Sequence, residues 1–371
     1  MRPLTIAIDA SRTTAAQRTG TENYALQLIR SLLALDAPHR FRLYFRDTPA
    51  PDLLPDQPNV ERHMIPAPRL WTHLRFAAAL WRARPDVTFV PAHTLPLAFP
   101  GPAVVTVHDL GYIYFPEAHT GFSRRYLDWT TRYSARRATR IIADSLATAR
   151  DLSAHYGVSQ NRIAVVYPGV DTALARVTDP ARLASVRARY KLPEVYLLFV
   201  GTLQPRKNVA RLVRSFARWR RESGRADVGL VLAGQQGWLF DPRWTEGVEG
   251  VHLTGYVDDA DVAALYSGAL ALLFPSLHEG FGFPVLEAMR CETPVITSNT
   301  SSLPEVAGEA ALLVNPRDEA AIAQAIERVV RDAALRTTLI ARGAEQVARF
   351  SWPRAAEQTL HVLEQAARAG Q

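Results

Sequence analysis

Apolar runs of strand length alternate along this chain with amphipathic stretches of helical length. In the first half, strands are predicted at 4–9, 41–45, 60–65, 86–90, 103–107, 140–143 and 162–166, and helices at 21–35, 70–83, 122–139 and 145–156. In the second half, strands are predicted at 195–200, 228–233, 251–253, 269–274, 293–297 and 311–314, and helices at 208–222, 260–267, 283–290, 302–308, 318–331 and 333–349. The alternation predicts an α/β protein with parallel sheets that helices cover on both faces.

A chain of 371 residues is long enough for two domains, each with its own core. A turn at 167–171 contains a Pro-Gly pair and interrupts the alternation near its middle. We therefore predict a first domain at 1–170 and a second at 171–351. A last helix is predicted to start at Ser351, which is a suitable N-cap.

The composition excludes several classes of protein. Cys291 is the only cysteine, which excludes an internal disulfide and cysteine-based zinc sites. The chain enters its first strand at Leu4, so its start does not match a signal peptide. Since no apolar run approaches the roughly 20 residues that span a bilayer, we expect a cytoplasmic protein, at most peripheral at the inner face of the membrane.

Positive charge is concentrated in the first half of the chain. Residues 1–170 hold 20 basic and 13 acidic side chains, whereas residues 171–371 hold 23 of each, so the net charge of +7 belongs to the first half. No helix-turn-helix, zinc-finger or RNA-binding signature accompanies this excess, so no nucleic-acid partner is predicted. An anionic membrane surface or a lipid-phosphate acceptor fits the charge better.

Two carboxylates, Glu279 and Glu287, bracket seven residues that include Gly280 and Gly282. An apolar strand precedes them, and Pro284 suits the first turn of the helix that follows. Free N–H groups and the positive end of a helix dipole in such a loop suit a phosphate, and the carboxylates suit hydroxyl groups. A nucleotide-sugar combines both groups. The alternative is an ordinary helix start with incidental acids.

Arg206 and Lys207 follow another buried strand and precede a helix. Lys207 is one of only two lysines among 43 basic residues. Cations are disfavoured at a helix start, so a merely solvated pair is the weaker interpretation. At the carboxyl end of a parallel strand, where ligands bind, the two charges would neutralise a diphosphate and stabilise it as a leaving group.

These two segments together resemble the retaining glycosyltransferases of family 4, the group 1 glycosyl transferases, which have the GT-B fold. Further segments match the family at 9–12 with 19–24, 107–110, 167–171 and 301–308. The resemblance covers nearly the whole chain. The sequence is most similar to bacterial mannosyltransferases of surface-polysaccharide synthesis, which use GDP-mannose.

The resemblance implies two Rossmann-like domains whose parallel sheets face each other across a cleft, with the last helix (352–371) packed back on the first domain. The first domain would bind the acceptor and the second the nucleotide-sugar. The catalytic residues that it implies are Arg206, Lys207, Glu279 and His108. The donor-binding residues that it implies are Gly20, Gly201, Thr202, Tyr256, Phe281, Gly282, Phe283 and Glu287. The acceptor-side candidates are Arg12, Asp109 and His93.

Two of these residues are also candidates by position, since Gly20 precedes a long helix and His108 ends an apolar strand. By the resemblance, His108 contacts a hydroxyl of the transferred sugar, and Asp109 orients it or binds the acceptor. The alternatives are a plain turn glycine and a structural strand-end histidine. A single glycine argues against a dinucleotide-binding Gly-x-Gly-x-x-Gly, and neither lysine fits a Walker A pattern.

An Asp-x-Asp pattern within 258–261, which can indicate a metal site, opens a predicted helix. Capping of that helix is the favoured interpretation. GT-B transferases generally need no metal, because cationic side chains do that work. We therefore expect no metal and no cofactor.

Two stretches of the first half combine aromatic and basic residues. The stretch 69–82 is assigned to membrane contact, with aromatic side chains inserted and arginines on anionic headgroups. In the second stretch a stripe of aromatic side chains is assigned to the core, because packing against a sheet is the commoner reason for such a stripe. Its members are Phe122, Tyr126, Trp129 and Tyr133.

Three positions depart from the family pattern. Gln204 stands where glutamate is usual, and Arg290 and Glu292 stand where a small residue and a glycine are typical. If that glycine needs a positive φ, Glu292 is strained.

The sequence thus predicts a retaining, metal-independent hexosyltransferase that acts in surface-polysaccharide synthesis. Its donor would be a nucleotide-sugar, with GDP-mannose favoured, and its acceptor a glycan or a lipid-linked molecule. The alternatives are a UDP-hexose-dependent transferase of the same fold, a GT-B nucleotide-sugar epimerase or phosphorylase, and a non-catalytic nucleotide-sugar-binding scaffold.

Overall fold

The predicted alternation produces two parallel sheets, each in its own part of the chain. The structure is a computed structural model that describes residues 2–15, 20–67, 70–118, 120–237 and 239–370. One compact unit, the N-terminal domain, contains the residues up to Gly169 together with those from Phe350 onward. The other, the C-terminal domain, contains Val170–Arg349. The sequence analysis predicted the domain boundary after residue 170 and the return of the chain to the first domain at residue 352.

The N-terminal sheet has seven strands among the residues that the structure describes. They are β1 (Thr5–Asp9), β2 (Arg40–Phe45), β3 (Val60–Met64), β4 (Val87–Val90), β5 (Ala103–Val107), β6 (Arg140–Ala143) and β7 (Ile163–Val165). Their order is β3-β2-β1-β4-β5-β6-β7, and Ile6 of β1 lies between Phe41 of β2 and Val87 of β4. The order reverses between β1 and β4, where a doubly wound sheet binds its ligands.

The helices of this half begin with α1 (Gly20–Leu33), α2 (Ala77–Ala83), α3 (Gly111–Tyr114), α4 (Gly121–Arg137) and α5 (Leu146–Tyr156). Short 3₁₀ turns lie at Pro116–Ala118 and Gln160–Arg162. The first part of the helix predicted at 70–83 is π-helical, at Trp71–Phe76, and α2 continues it. The short helix α3 was not predicted.

The C-terminal sheet has six strands within the described part of the chain. They are β8 (Val195–Val200), β9 (Val228–Ala233), β10 (Val251–Gly255), β11 (Ala271–Phe274), β12 (Val295–Ser298) and β13 (Ala311–Val314), in the order β10-β9-β8-β11-β12-β13. Its helices are α6 (Pro180–Arg189), α7 (Val209–Ser223), α8 (Asp259–Gly268), α9 (Phe283–Arg290), α10 (Leu303–Ala307), α11 (Glu319–Arg331) and α12 (Ala333–Val347). Short 3₁₀ turns lie at Pro205–Lys207 and Pro242–Trp244. Helix α6 was not predicted.

A last helix, α13 (Trp352–Ala369), belongs to the N-terminal domain, where it packs against α1. Ser351 is its N-cap, since the Ser351 hydroxyl accepts a hydrogen bond from the N–H of Arg354 at 3.4 Å, and this confirms the predicted cap. The rings of Trp352 and Tyr24 meet edge to face with their centroids 5.9 Å apart.

The central strands of both sheets are buried on both faces. Every residue of β5, β9 and β11 is buried, which is why these strands are continuous apolar runs in the sequence. Polar groups are therefore found at the strand ends and in the loops that follow. Among the described residues, no helix combines the length and apolar character that crossing a membrane requires.

Three of the four residues in the aromatic stripe of α4 lie at the surface, so their assignment to the core is wrong, whereas Tyr133 is partly buried and packs against the core as predicted. Phe122 is 84% exposed, Trp129 is 48% exposed and Tyr126 is 41% exposed. The residues that α4 buries are small, namely Thr130, Thr131, Ser134 and Ala135. Small side chains allow the helix backbone to approach the domain closely, and the large side chains then point outward.

The capping role predicted for the Asp-x-Asp segment is also wrong. Asp258 occupies the N-cap position of α8 but makes no side-chain capping bond, and its carboxylate pairs with Arg189. The buried carboxylate of Asp261 pairs with Arg189 at 2.7 Å and with Arg182 at 2.5 Å. The two carboxylates therefore fasten α8 to α6.

Candidate active site

The polar residues predicted for the donor lie at the carboxyl ends of the neighbouring strands β8 and β11. Strand β8 leads into Gly201 and the turn Pro205–Lys207, and β11 leads into the glycine loop that precedes α9. The N–H of Leu277 donates to the carbonyl of Arg206 at 2.9 Å, which ties the two loops together. Parallel pairing thus brings together residues that are far apart in the sequence, such as Lys207 and Glu279, which are 72 positions apart.

Two cationic side chains converge on one carboxylate in these loops. The Lys207 ammonium donates to Oε1 of Glu279 at 2.7 Å, and Nη1 of Arg206 lies 3.5 Å from Oε2 of Glu279. Arg206 also donates to the carbonyl of His278 at 3.1 Å, and the Lys207 ammonium lies 4.8 Å from the ring centroid of Phe274. A guanidinium and an ammonium group placed side by side suit an anionic ligand.

Glu279 is held in its ionised form although only 6% of it is exposed. Burial alone would raise the pKa of this carboxyl, but the charges of Lys207 and Arg206 outweigh burial and hold the pKa below its ordinary value. The carboxylate therefore favours its ionised form and accepts hydrogen bonds at neutral pH.

The loop between Glu279 and α9 is fixed by backbone geometry and by Ser302. Gly282 has φ = +116°, and a Cβ at this position would lie 2.7 Å from Cδ2 of Leu303, so glycine is required there. The Ser302 hydroxyl lies 2.9 Å from the carbonyl oxygen of Glu279 and 2.7 Å from that of Phe281.

Glu287, the second carboxylate of the pair, lies within α9. Its Oε2 accepts a hydrogen bond from the hydroxyl of Tyr266 at 2.8 Å. Burial raises the pKa of the Glu287 carboxyl. Tyr266, which the sequence did not identify, holds this carboxylate in a single orientation.

The other predicted donor residues are more widely spread. Gly201 has φ = +143° at the end of β8, and Thr202 beside it is exposed. The buried ring of Phe281 meets that of Phe283 edge to face at 5.1 Å. Tyr256 follows the edge strand β10, which β9 separates from β8, and is 53% exposed.

The departure at Glu292 has the predicted consequence. Glu292 follows α9 with φ = +56°, a left-handed conformation that favours glycine, so this residue is strained as the sequence predicts. Arg290, the neighbouring departure, donates from Nε to the carbonyl of Leu174 at 3.1 Å.

In the N-terminal domain, His108 lies at the end of β5 and is held from three sides. Its Nδ1 lies 2.5 Å from Oδ2 of Asp144 at the end of β6, and its Nε2 lies 3.2 Å from the carbonyl oxygen of Pro91. Its backbone N–H donates to Nε2 of His93 at 3.1 Å. A carbonyl oxygen can only accept, so Nε2 of His108 carries a proton, and the carboxylate favours a second proton on Nδ1.

The two histidines are driven in opposite directions. Burial alone would lower the pKa of His108, but the charge and hydrogen bond of Asp144 raise it above its ordinary value. Burial lowers the pKa of His93 to about 4, and the charge of His108 adds to this effect. A neutral His93 agrees with the backbone hydrogen bond that its Nε2 accepts. The site thus pairs an imidazole that favours its charged form with one that favours its neutral form.

The remaining predicted residues of this domain lie at the same edge or near it. Asp109 accepts a hydrogen bond from the N–H of Gly111 at 2.8 Å, so Asp144 rather than Asp109 holds the His108 ring. Arg12 follows β1 and pairs with Glu22 at 3.2 Å. Gly20 is the first residue of α1 and is exposed, while residues 16–19 before it lie outside the described residues.

Asp144 was missed by the sequence analysis although a signal for it exists. It directly follows the apolar strand β6, as His108 follows β5. The register pairs Val107 with Ala143, which places the next residues of the two strands side by side. Among the described residues, no group of histidine, cysteine, aspartate or glutamate side chains has the arrangement of a metal site.

Comparisons with known proteins match both halves of the chain. Residues 194–332 match the family model described as Glycosyl transferases group 1, and residues 18–174 match the one described as Glycosyltransferase Family 4. The chain is 34% identical over 271 residues to O-antigen chain mannosyltransferase B of Escherichia coli. The aligned region covers 70% of this chain and 69% of that protein.

A second relative is longer than this chain. The chain is 30% identical over 278 residues to the serotype-specific mannosyltransferase WbdA of Escherichia coli. The aligned region covers 71% of this chain but 33% of that protein. The match therefore spans about a third of the length of that relative. Among solved structures, the sucrose-phosphate synthase of Thermosynechococcus elongatus superposes with a TM-score of 0.76 at 24% identity, over 99% of this chain and 100% of that one.

Proposed function

This chain belongs to the group 1 glycosyl transferases of family 4, and we propose that it moves mannose from GDP-mannose to a hydroxyl group of a glycan or lipid-linked acceptor in surface-polysaccharide synthesis. Two relatives with the name mannosyltransferase support the choice of sugar. The GDP donor rests on the sequence resemblance to bacterial mannosyltransferases.

The observation that carries the proposal is the convergence of Arg206 and Lys207 on Glu279. A diphosphate bound beside these cations would supply its own oxygen atoms as their hydrogen-bond acceptors, in place of the carboxylate oxygens of Glu279. Glu279 would then accept a hydrogen bond from a hydroxyl of the sugar. Because the cations are partly buried and already in place, they stabilise the charge that develops on the departing diphosphate without a large rearrangement.

In the proposed reaction, one bond breaks and one bond forms at the anomeric carbon of the sugar. The bond from that carbon to the diphosphate oxygen breaks, and its electron pair leaves with the diphosphate. The acceptor hydroxyl oxygen bonds to the same face of the carbon, and its proton passes to the departing phosphate oxygen. This order of bond breaking and bond formation retains the anomeric configuration and uses neither a carboxylate nucleophile nor a metal.

Glu287 is proposed to bind the ribose hydroxyls of the donor. Tyr266 donates to Oε2 of this carboxyl group, so the ribose would bind at Oε1. The glycine loop at Phe281–Phe283 would present backbone groups to the sugar, with Gly201 and Thr202 beside the diphosphate and Tyr256 beside the base. This assignment keeps the charged cluster for the leaving group and the neutral part of the loop for recognition.

The N-terminal domain is proposed to supply the acceptor side through Arg12, Asp109 and His93. His108 is proposed to contact a sugar hydroxyl, and Nε2 would do so by exchanging the carbonyl of Pro91 for that hydroxyl. Asp144 would keep the imidazole charged during this exchange. A charged imidazole donates hydrogen bonds and does not act as a general base.

We also propose that the N-terminal domain rests on an anionic membrane surface. Leu74 is 60% exposed beside the exposed aromatic rings of α4, and His73 lies 3.2 Å from the hydroxyl of Tyr126. The exposed arginines Arg75 and Arg82 complement anionic headgroups. Of the predicted membrane stretch, Arg69 lies outside the described residues, and Trp71 and Phe76 are buried in the core, so the insertion predicted for these two rings is wrong. The double substitution Phe122→Ser with Trp129→Ser is expected to reduce sedimentation of the protein with phosphatidylglycerol vesicles.

A thermal-shift panel tests the donor directly. GDP, UDP, ADP and their sugar derivatives are added without metal, and a ligand that binds only the folded state raises the melting temperature. Selective stabilisation by GDP and GDP-mannose is the expected result. A UDP preference would move the donor to a UDP-hexose within the same fold, and no shift with any nucleotide would contradict the donor site.

Product analysis then separates the remaining alternatives. Incubation with GDP-mannose and a lipid-linked or glycan acceptor is expected to give GDP and an elongated acceptor with retained configuration. Conversion of the nucleotide-sugar without an acceptor would indicate an epimerase, and phosphate-dependent cleavage of a glycan a phosphorylase. Donor binding without turnover on any acceptor tried would favour the non-catalytic scaffold.

A further inference from the structure

A cavity of about 430 Å³ lies on the helical layer of the N-terminal domain, between α3, α4 and the end of α5. None of the residues that line it belongs to the candidate active site. Its walls carry the cationic side chains of Arg124, Arg125 and Arg132, together with His155. A cavity of this size holds a phosphate group together with part of the molecule that carries it.

The charges around this cavity do not cancel. Asp128 is the carboxylate in its lining, and it lies 3.5 Å from the guanidinium of Arg132. Within the described ranges, neither Arg124 nor Arg125 is within ion-pair distance of a carboxylate. Both side chains are exposed on α4. Two guanidinium groups therefore remain to be balanced by a ligand from solution.

The wall beside these arginines is held in place by aromatic hydroxyl groups. The hydroxyl of Tyr156 donates to Asp128 at 2.8 Å and lies 2.7 Å from the hydroxyl of Tyr112. The guanidinium of Arg132 lies 5.2 Å from the ring centroid of Tyr156. Asp128 is thus engaged by a hydroxyl and a cation of its own domain, and a rigid wall supports the two uncompensated arginines.

We propose that this cavity is a phosphate-binding site, in which Arg124 and Arg125 hold the phosphate oxygens and Arg132 completes the positive wall, with the polar ring of His155 beside it. Guanidinium groups match phosphate geometry with paired N–H donors. A phosphate or diphosphate carries more charge than one carboxylate and so fits the surplus better. The same chemistry is present in a soluble phosphate compound and in the headgroup of a lipid.

The test titrates sodium pyrophosphate into the full-length chain at low salt, with calorimetry as the readout. The pocket variant is Arg124→Gln with Arg125→Gln, and Arg125→Gln alone serves as a milder change. Arg136→Gln is the matched control, because Arg136 is an exposed arginine of the same helix outside the cavity lining. Lys207→Ala separates this site from the proposed donor site, which also binds a diphosphate.

Loss of the two guanidinium groups is expected to weaken pyrophosphate binding by about tenfold or more, since each contributes charge-assisted hydrogen bonds. Arg136→Gln should bind like the wild type, and Lys207→Ala should retain the cavity site. The proposal is overturned if the pocket variant binds pyrophosphate as the wild type does, or if Arg136→Gln weakens binding equally. GDP binding by the pocket variant reports separately on the donor site, so failure of one proposal is distinguishable from failure of the other.

A second arm identifies the source of the phosphate. Vesicles of phosphatidylcholine with and without phosphatidylglycerol are sedimented with wild type and with the pocket variant. If the ligand is a lipid headgroup, the variant loses binding to the anionic vesicles and pyrophosphate competes for them. If vesicle binding is the same for both proteins while pyrophosphate binding differs, the ligand is a soluble phosphate compound.

Discussion

Nδ1 of His108 and Oδ2 of Asp144 lie 2.5 Å apart, at the ends of the neighbouring strands β5 and β6. The aspartate is buried and the histidine side chain is 12% exposed, so the two groups interact in surroundings from which water is largely excluded. In such surroundings a carboxylate strongly favours the charged imidazole. The proposed sugar contact therefore depends on a residue that does not touch the sugar.

Asp144→Asn is expected to lower the pKa of His108, because the neutral amide cannot stabilise an imidazolium. The transfer rate should fall by about tenfold or more if a charged His108 contacts the sugar. An NMR titration of the His108 ring measures the first effect, and a transfer assay the second. Asp109→Asn is the control and should shift the titration less. Unchanged titration in Asp144→Asn would contradict the role of Asp144.

Lys207→Ala is expected to reduce the transfer rate by about 100-fold or more, as the loss of one charge-stabilising donor does in other active sites. Lys191→Ala is the matched control, because it removes the other lysine from an exposed position. A rate near that of the wild type would remove Lys207 from the mechanism. Melting curves of both variants show whether Glu279, left with Arg206 alone, also costs stability.

Glu292→Gly is expected to stabilise the C-terminal domain by about 0.5–1 kcal/mol. A left-handed conformation costs a non-glycine residue roughly 1–2 kcal/mol, and the greater freedom of glycine in the unfolded chain offsets about half of that gain. Urea denaturation measures the change. Glu292→Ala retains a Cβ, so it should not stabilise the domain, and equal effects of the two substitutions would contradict strain at this position.

His93 is expected to make the N-terminal domain sensitive to acid. Its pKa is about 4 in the folded protein and 6.5 in an unstructured chain, so between these values the unfolded state binds a proton that the folded state does not. The free energy of unfolding should therefore decrease as the pH falls from 6.5 toward 4. Urea denaturation across this range should show a shallower dependence for His93→Gln. An equal slope in both proteins would contradict a buried, neutral His93.

Added chelator is expected to leave transfer activity intact. In the proposed mechanism Arg206 and Lys207 carry the charge on the diphosphate, and the aspartates of the Asp-x-Asp segment are paired with arginines. The rate is measured with EDTA and with added Mg²⁺ or Mn²⁺. Strong inhibition by EDTA that a metal ion reverses would require a metal in the reaction.

Elements with strong local patterns were predictable from the sequence. The strand bounds Ala103–Val107 and Arg140–Ala143 agree with the prediction, because buried parallel strands are continuous apolar runs between polar ends. Helix α9 also agrees, since a glycine and a proline mark its start. The family resemblance added the assignment of Lys207 and Glu279 to one catalytic site.

Features that depend on distant partners were not predictable in the same way. Whether Phe122 packs inward depends on what α4 packs against, and the small residues Thr131 and Ala135 are the ones that contact the domain. The carboxylate of Asp258 could either cap α8 or pair with an arginine. It pairs with Arg189 of α6, which lies 69 positions away in the sequence. Asp144 was missed because its partner is 36 residues away.

The return of α13 to the N-terminal domain has a consequence for synthesis on the ribosome. Buried side chains of α13, such as Trp352 and Leu363, complete the core of a domain whose strands are made first. At about 5–20 residues per second, the ribosome needs on the order of ten seconds or more to make the intervening C-terminal domain. The domain that emerges first is therefore the last to be finished. Until then, the surface of α1 that α13 will cover is exposed to chaperones and proteases.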